Sequence, residues 1–233
     1  TFEEHESSFH LGKIESDEYW VEAVLLLHES ERIVAIKNQT YELNYFQLEI
    51  KAIANSVHVL TLKDITATLL KERVLTNKAY HDALTGLYNR QYFYEYIVVK
   101  ALNKSSMIGI IIIDIDDFKF INDIHGHSIG DEVLKIFAKT LQNSLRSSDI
   151  LIRWGGEEFV VVSEIKSDYE VMIIAEHLRT AVSLMKLGEI GNITASFGVT
   201  NLKENENIDI AIGRADKALY IAKEHGKNRV EMI

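Results

Sequence analysis

Two glycines and two carboxylates stand side by side in residues 153–159, whose sequence is Arg-Trp-Gly-Gly-Glu-Glu-Phe. Apolar runs flank this stretch at residues 150–152 and 159–162, which predicts a tight β-hairpin. Glycines at such a turn accept positive φ and leave room for the phosphates of a ligand. Adjacent carboxylates can bind a divalent cation. The pattern alone is also typical of a solvated turn, so a functional site needs a second cluster.

A second acidic cluster is formed by Asp114, Asp116 and Asp117. The preceding β-branched run, residues 107–115, is typical of a central strand covered on both faces, so these aspartates are predicted at the mouth of that strand. Together with the hairpin carboxylates they offer the hard oxygens that Mg²⁺ takes alongside phosphate oxygens. A strand-end aspartate that caps the next helix is the alternative interpretation of Asp114.

Groups suited to phosphate accompany the acidic cluster. Phe118 and Lys119 are predicted at a helix N-terminus, where backbone N–H groups attract phosphate, and Lys223 and Lys227 lie near the end of the last helix. Each lysine taken singly is typical of a solvated surface charge. Two metal ions at such a place would stabilise the attacking and leaving oxygens of phosphoryl transfer. The complete set therefore favours a nucleoside triphosphate.

The elements that must position these residues follow from the hydrophobic pattern. After a turn at residues 82–90, the predicted order is a helix to about residue 104, strand 107–115, helix 131–145, the hairpin, helix 168–186, strand 193–200, helix 208–225 and strand 229–232. Asp82 and Asn89 suit capping and turn roles. This order predicts an α+β fold of the split βαβ kind, with an antiparallel-containing sheet backed by helices.

Residues 1–66 show a different pattern. Short alternating segments at 20–27, 32–37, 41–50 and 57–62 predict antiparallel strands with one wet face. The last segment continues to Asp64-Ile65-Thr66 and resembles the final strand of PAS sensor domains, which often ends in Asp-Ile-Thr before a signalling helix. The resemblance covers only the back half of such a domain, so no cofactor is predicted there.

Residues 67–80 contain no glycine or proline and predict a linker helix, because Leu70 and Val74 fall at helical spacing. Two interpretations of this helix are open. It could form a short parallel coiled coil between two chains, or it could pack on its neighbour within one chain. In the first case it would let the N-terminal part set the geometry of the C-terminal part.

Composition excludes several classes of protein. The chain has 233 residues, of which 47% are hydrophobic, enough for one or two ordinary cores. The longest apolar run, residues 108–113, is too short to span a bilayer, so no membrane contact is predicted in this chain. The net charge of −10 argues against binding of a nucleic acid polymer. The absence of cysteine fits a reducing compartment, so we expect a cytoplasmic protein; a start at Thr1 also fits excision from a longer protein with membrane segments upstream.

From residue 82 onward the sequence resembles a GGDEF domain, the diguanylate cyclase family. The family signature appears as Gly155-Gly156-Glu157-Glu158-Phe159, and the motif Asp-x-Leu-Thr-Gly-Leu-x-Asn-Arg appears at residues 82–90. Ala83 and Tyr88 stand where the family commonly has prolines. Further matching segments follow in order: Asp114-Ile115-Asp116-Asp117-Phe118-Lys119, Asn122, Gly126-His127, Gly130-Asp131, Ala215-Asp216, Ala218-Leu219-Tyr220, Ala222-Lys223 and Gly226-Lys227-Asn228.

The resemblance implies a domain organisation and a set of roles. The domains would be a partial PAS-like segment at 1–66, a signalling helix at 67–80, and a catalytic domain at 81–233 with a nucleotidyl-cyclase-like, ferredoxin-like palm fold. Two Mg²⁺ or Mn²⁺ ions per site would be bound by Asp114, the Ile115 carbonyl and Glu157. Glu157 would also help take a proton from the 3′-hydroxyl of GTP, and Glu158 would complete the acid pair.

The same resemblance implies how GTP is held. Asn122 and Asp131 would read guanine, since a carboxylate accepts from the N1–H and the amino group that guanine presents together. His127 would contact the substrate. The phosphates would meet the remaining residues: Phe118 and Lys119 through their backbone, Gly155 and Gly156 at the turn, and Lys223, Lys227 and Arg153 through their charge.

The implied reaction joins two GTP molecules into cyclic di-3′,5′-GMP and releases two pyrophosphates. One chain holds one GTP, so two sites must face each other in a homodimer. A rival from another class is a receptor domain that binds GTP or cyclic di-GMP without turnover and signals through partner contacts. That rival is disfavoured by five intact residues: Asp114, Glu157, Asn122, Asp131 and Lys223.

Arg146 and Asp149 enclose Ser147-Ser148 and match the Arg-x-x-Asp product-inhibition site of the family in identity and in distance from Gly155. A guanidinium binds phosphate or the Hoogsteen edge of guanine, while a carboxylate accepts from the donors of guanine. Cyclic di-GMP is therefore expected both as product and as inhibitor. A helix-end arginine paired with a turn aspartate is the alternative.

Overall fold

The computed structural model describes residues 32–37, 42–54, 57–102 and 107–233. The chain divides into two units, the first ending at Asn77 and the second spanning Lys78–Ile233. Each unit has its own sheet. Within the described ranges, no helix is both long and apolar enough to cross a membrane.

The first unit contains a three-stranded antiparallel sheet in the order β1 (Ile33–Lys37), β2 (Leu43–Ala54) and β3 (Val57–Asp64). Its strands confirm the antiparallel interpretation of the alternating segments from residue 32 onward. The segment predicted at 20–27 lies outside the described residues. Helix α1 (Thr66–Tyr80) begins directly after β3, where Asp64 Oδ1 accepts a hydrogen bond of 2.9 Å from the Thr66 N–H.

The second unit is built on a six-stranded mixed sheet in the order β4-β6-β7-β5-β8-β9. Its strands are β4 (Tyr88–Asn89), β5 (Met107–Ile115), β6 (Ile150–Gly155), β7 (Glu158–Ile165), β8 (Ala195–Leu202) and β9 (Val230–Met232). Its helices are α2 (Arg90–Leu102), α3 (Phe118–His125), α4 (His127–Ser144), α5 (Asp168–Ser183) and α6 (Ile208–Glu224), with a short 3₁₀ turn at Gly188–Ile190. The predicted α+β class is confirmed.

Strand β5 lies at the centre of this sheet, antiparallel to β7 on one side and to β8 on the other. Its side chains alternate between two cores: Ile111 and Ile113 pack in one, Ile110 and Ile112 in the other. Because both faces are covered, every position can be apolar, as the β-branched run predicts. Asp114, near the carboxyl end of β5, therefore lies at the edge of both cores.

Helix α6 packs unusually close to β8. A Cβ added at Gly198 would lie 2.1 Å from the Ala215 carbonyl oxygen and 2.3 Å from the Leu219 nitrogen. Only glycine leaves room for this approach of a helix to a strand. The contact fixes α6 over the sheet and so determines where its last turn, which carries Lys223, ends.

The structure differs from the predicted elements at two places. Helix α4 begins at His127, four residues before the predicted start, because Gly130 lies inside the helix rather than in a loop. A Cβ at Gly130 would clash with Asn122 Oδ1, so the glycine leaves room for the Asn122 side chain to lie against α4. Strand β4 was predicted as a turn; its two residues become a strand by pairing in parallel with Ile152 and Arg153.

Candidate active site

Asp114 and Glu158 face each other across the two central strands. Asp114, next to the last residue of β5, pairs in register with Glu158, the first residue of β7. Opposed residues of antiparallel strands have Cβ atoms about 4.5–5.5 Å apart, on the same face of the sheet. On its other side Asp114 pairs with Ser196 of β8. The sheet itself therefore brings the predicted strand-end and hairpin carboxylates together.

The electrostatics of this pair favour a cation. Burial raises the pKa of Asp114; the Lys223 ammonium opposes this, and the charges of Glu157 and Asp116 raise it further. Burial also raises the pKa of Glu158, with the charge of Asp114 adding to the effect. Buried like charges destabilise one another unless a positive charge lies between them. Lys223 supplies one, since its Nζ is 2.9 Å from Asp114 Oδ1.

The donor set suits Mg²⁺. Asp114, Glu157 and Glu158 offer carboxylate oxygens at one strand end, and Ile115 adds a backbone carbonyl there. No group of three or more His, Cys, Asp or Glu side chains in the described part of the chain is arranged to hold a metal by itself. Mg²⁺ is commonly bound by one or two carboxylates and completes its shell with water and substrate phosphates. The Lys223 ammonium lies beside Asp114, which indicates that these carboxylates stabilise a positive charge at this place.

The segment after β5 forms a corner suited to phosphate. Asp117 has the left-handed φ of 55°, and α3 begins at the next residue, Phe118. The first turn of a helix leaves its backbone N–H groups without intrahelical acceptors, and these include the amides of Phe118 and Lys119. Lys227 reaches the same corner, with Nζ 2.6 Å from Asp117 Oδ1. The structure thus brings Lys227 to the N-terminus of α3, where Lys119 is exposed.

The predicted guanine residues lie along the α3–α4 junction. Asn122 is in α3, and its Oδ1 packs over Gly130 in the first turn of α4. Asp131 follows Gly130, and His127 is the first residue of α4; both are exposed. Asn122 therefore lies against the first turn of α4, next to the position in the chain that Asp131 occupies.

The hairpin tip is held by a guanidinium. Gly156 has the positive φ of 52° that the turn requires. Arg153 donates to the Gly156 carbonyl from Nε (3.0 Å) and from Nη2 (2.8 Å), and Nη1 donates to Asp82 Oδ1 at 2.9 Å. These contacts differ from the role predicted for Arg153 at the phosphates, because its donors are used within the protein. Arg153 joins the hairpin to the turn at residues 82–85.

Sequence reasoning did not identify the aromatic contacts beside the hairpin. Trp154, directly before Gly155, has Arg90 4.6 Å from its ring centroid and Phe93 edge-on at 5.0 Å. Tyr88, noted only as a substitution for proline, stacks on Tyr92 with ring centroids 3.7 Å apart. The two Trp154 contacts join residues about 60 positions apart along the chain, so no local pattern could have revealed them. They hold β6 against α2.

The predicted inhibitory pair, Arg146 and Asp149, lies in the turn between α4 and β6. Asp149 Oδ2 accepts a hydrogen bond of 3.0 Å from the Arg146 backbone N–H, which forms the turn between α4 and β6. The Arg146 guanidinium is exposed and donates from Nη1 to Glu170 Oε1 at 2.8 Å. Glu170, in the first turn of α5, was not predicted to take part. The hydrogen bond from Arg146 lowers the pKa of Glu170.

A sequence model of the family described as "Diguanylate cyclase, GGDEF domain" matches residues 79–229. This chain belongs to that family. The match covers the second unit of the structure, including the hairpin, the strand end and the lysines of α6. The GGDEF assignment made from the motifs is therefore confirmed.

Relatives of this GGDEF chain are named as diguanylate cyclases. It is 41% identical over 170 residues, 72% of its length, to the diguanylate cyclase DgcM of Escherichia coli K12, and it covers 42% of that protein. It is 32% identical over 227 residues, 94% of its length, to the diguanylate cyclase VdcA of Vibrio cholerae, and it covers 64% of that protein. The chain thus spans about half to two thirds of these relatives.

Solved structures share the GGDEF fold. The coiled coil and GGDEF domain of DgcB from Caulobacter crescentus, in complex with c-di-GMP, superimposes with a TM-score of 0.66 at 30% identity, covering 72% of this chain and 93% of that one. The active GGEEF domain of a diguanylate cyclase from Vibrio cholerae gives a TM-score of 0.57 at 34% identity, covering 62% of this chain and 96% of that one. The predicted fold is confirmed.

Proposed function

We propose that this chain is an active diguanylate cyclase that condenses two GTP molecules into cyclic di-3′,5′-GMP and two pyrophosphates in the cytoplasm. The observation that carries the proposal is the register of Asp114 against Glu158, with Lys223 beside them. A domain that had lost turnover would have no need to keep a buried aspartate opposite a half-buried glutamate, with a compensating lysine, at a strand end, since removing like charges from water costs free energy.

The substrate residues would act as follows. Asn122 and Asp131 would hold guanine at the α3–α4 junction. Lys227 and the first amides of α3 would bind the phosphates, and Lys223 would move from Asp114 toward them. Asp114, the Ile115 carbonyl and Glu157 would hold two divalent ions. When bound, these ions supply charge neutralisation at the phosphate and acidify the 3′-hydroxyl.

Proton transfer would fall to the hairpin acids. The 3′-oxygen of one GTP attacks the α-phosphorus of the other, the bond from that phosphorus to the bridging oxygen of pyrophosphate breaks, and the hydroxyl proton passes to a carboxylate. Glu157 is the proposed acceptor. The raised pKa of Glu158 makes its carboxylate a stronger base than an exposed glutamate, which supports a share in the same step.

Each chain offers one such site, so the reaction needs two chains facing each other. Helix α1 has three large apolar side chains that are exposed, Leu70, Val74 and Leu75. This exposed stripe supports the coiled-coil interpretation of the linker, in which α1 would pair between two chains and set the distance between their sites.

Product inhibition would act through Arg146 and Asp149. In the structure Glu170 accepts a hydrogen bond from the Arg146 guanidinium. Cyclic di-GMP would therefore have to displace Glu170 before a guanine or phosphate can bind Arg146. We propose Glu170 as an internal competitor that weakens inhibition.

The deciding experiment incubates the purified chain with GTP and Mg²⁺ and identifies the product by mass. Cyclic di-GMP and pyrophosphate in a 1:2 ratio are expected. Binding of GTP by a confirmed dimer without any product would refute turnover and favour the receptor function. Products that contain adenine, formed from a mixture of ATP and GTP, would refute the guanine selectivity assigned to Asp131.

A further inference from the structure

Asp116 is a buried carboxylate that the reaction described above does not use. It is 7% exposed and lies just after β5, two residues beyond Asp114. Its Oδ1 accepts from Ser196 Oγ at 2.7 Å. Its Oδ2 accepts from Thr194 Oγ1 at 2.6 Å and from the Asn228 backbone N–H at 3.1 Å. Both oxygens are thus bonded within the protein, which argues against a role in metal binding.

The Asn228 bond is notable because of the loop in which it lies. Residues 226–228 follow α6 and have three consecutive positive φ angles: 108° at Gly226, 62° at Lys227 and 45° at Asn228. Left-handed backbone is unfavourable for L-residues with a side chain, and two of these three have one. Such a conformation persists only where surrounding contacts determine it.

Hydrogen bonds to α6, to α5 and to the end of β5 hold this loop. The Lys227 N–H donates to the Ala222 carbonyl at 3.0 Å, which closes the end of α6. Asn228 Oδ1 accepts from Arg179 Nη1 at 3.0 Å. The bond from the Asn228 N–H to Asp116 ties the backbone of the loop to the end of β5. Lys227 directly precedes Asn228, and its Nζ lies 2.6 Å from Asp117 Oδ1.

We propose that Asp116, held by Thr194 and Ser196, is a positioning residue that keeps the 226–228 loop left-handed and so holds Lys227 over the phosphate corner. The inference rests on the proposed function in one respect, that Lys227 binds GTP phosphate. Asp116 would then influence substrate affinity through Lys227 without touching substrate.

The test uses small substitutions that keep the fold. Thr194→Val removes one hydroxyl donor to Asp116 at nearly constant volume, and Ser196→Ala removes the other. Thr200→Val is the matched control. Thr200 is a buried residue of the same strand β8 and donates to the Ile233 carbonyl at 2.8 Å, away from the loop.

Substrate affinity is measured first, in a double-mutant cycle with Lys227→Ala. We expect Lys227→Ala to raise the KM for GTP about tenfold. Thr194→Val should raise the KM about threefold and leave kcat nearly unchanged. In the Lys227→Ala background, Thr194→Val should add nothing, because its effect passes through Lys227. An undiminished threefold effect in that background, or an equal effect of Thr200→Val, would overturn the proposal.

Amide hydrogen exchange of residues 226–229 is measured second and needs no turnover. We expect exchange about three- to tenfold faster in Thr194→Val and Ser196→Ala than in the unchanged protein and in Thr200→Val. Unchanged exchange would show that Asp116 does not anchor the loop. If the unchanged protein forms no cyclic di-GMP, the dissociation constant of GTP replaces KM in the cycle; the proposed turnover then fails, and the exchange result still decides the anchoring.

Discussion

Lys223 Nζ lies 2.9 Å from Asp114 Oδ1, and the pKa of this aspartate is nevertheless raised. Burial at the strand end outweighs the attraction of the ammonium, and Glu157 and Asp116 add repulsion. The neutral form of Asp114 is therefore stabilised relative to water.

Asp114→Asn should abolish turnover and should not destabilise the ligand-free protein at neutral pH. Loss of a carboxylate ligand is expected to lower the rate at least about 100-fold. The raised folded-state pKa means that the folded protein binds this proton more tightly than the unfolded chain. Urea unfolding at about pH 7 tests the stability, and a clear loss in the variant would contradict the assigned electrostatics.

The same shift predicts a pH dependence. A group whose pKa is raised in the folded state adds stability below its unfolded value, and that stability is lost as the pH rises through the folded value. Glu158 contributes in the same direction. The free energy of unfolding of the unchanged protein should therefore increase relative to that of Asp114→Asn as the pH falls from about 7 toward about 4. A constant difference would rule out the shift.

Glu157→Gln should lower cyclic di-GMP formation at least about 100-fold, because it removes a proposed proton acceptor and metal ligand from a half-exposed hairpin tip. The melting temperature should change little. Glu204→Gln is a control, since Glu204 is exposed in the loop after the far end of β8. Product measured by mass from a Glu157→Gln protein at the unchanged rate would refute the assignment.

Arg153→Lys should lower kcat more than it raises KM. A lysine cannot bridge the Gly156 carbonyl and Asp82 together, so the hairpin tip would lose its orientation while the phosphate corner stays intact. A reduction of about tenfold is expected. Arg214→Lys is the matched control, because Arg214 is a similarly buried arginine that pairs with Glu206 near the far end of β8. Equal losses in both variants would indicate a general folding effect.

Arg146→Ala should relieve product inhibition without slowing the initial rate, and Glu170→Gln should strengthen inhibition. Removing the carboxylate leaves the guanidinium available to cyclic di-GMP; because the pair is exposed, the inhibition constant should fall only about two- to fivefold. Glu176→Gln, in the same helix, provides the comparison for surface charge. Inhibition curves that coincide for the unchanged protein and both Arg146 and Glu170 variants would reject this site.

The chain's local patterns were sufficient for the class of fold and for most of the candidate site. The β-branched run ending at Asp114, the Gly-Gly turn and the periodic helices each report a local preference, and the structure has a strand, a turn and helices there. Asp82 and Asn89 likewise act as predicted, accepting from the Thr85 and Tyr92 amides. Such features depend on few neighbours, which is why sequence spacing reveals them.

Only the tertiary structure decided how distant residues share the site. The sequence by itself determined that acids, glycines and lysines of the right types occur at strand and helix ends. It did not determine that Arg153 would bind Gly156 and Asp82, that Asp116 would be bonded by Thr194, Ser196 and Asn228, or that Glu170 would hold Arg146. Apart from Gly156, these partners lie 24 to more than 100 positions away along the chain. Their choice depends on strand order and register, which arise from packing of the whole sheet rather than from any local stretch.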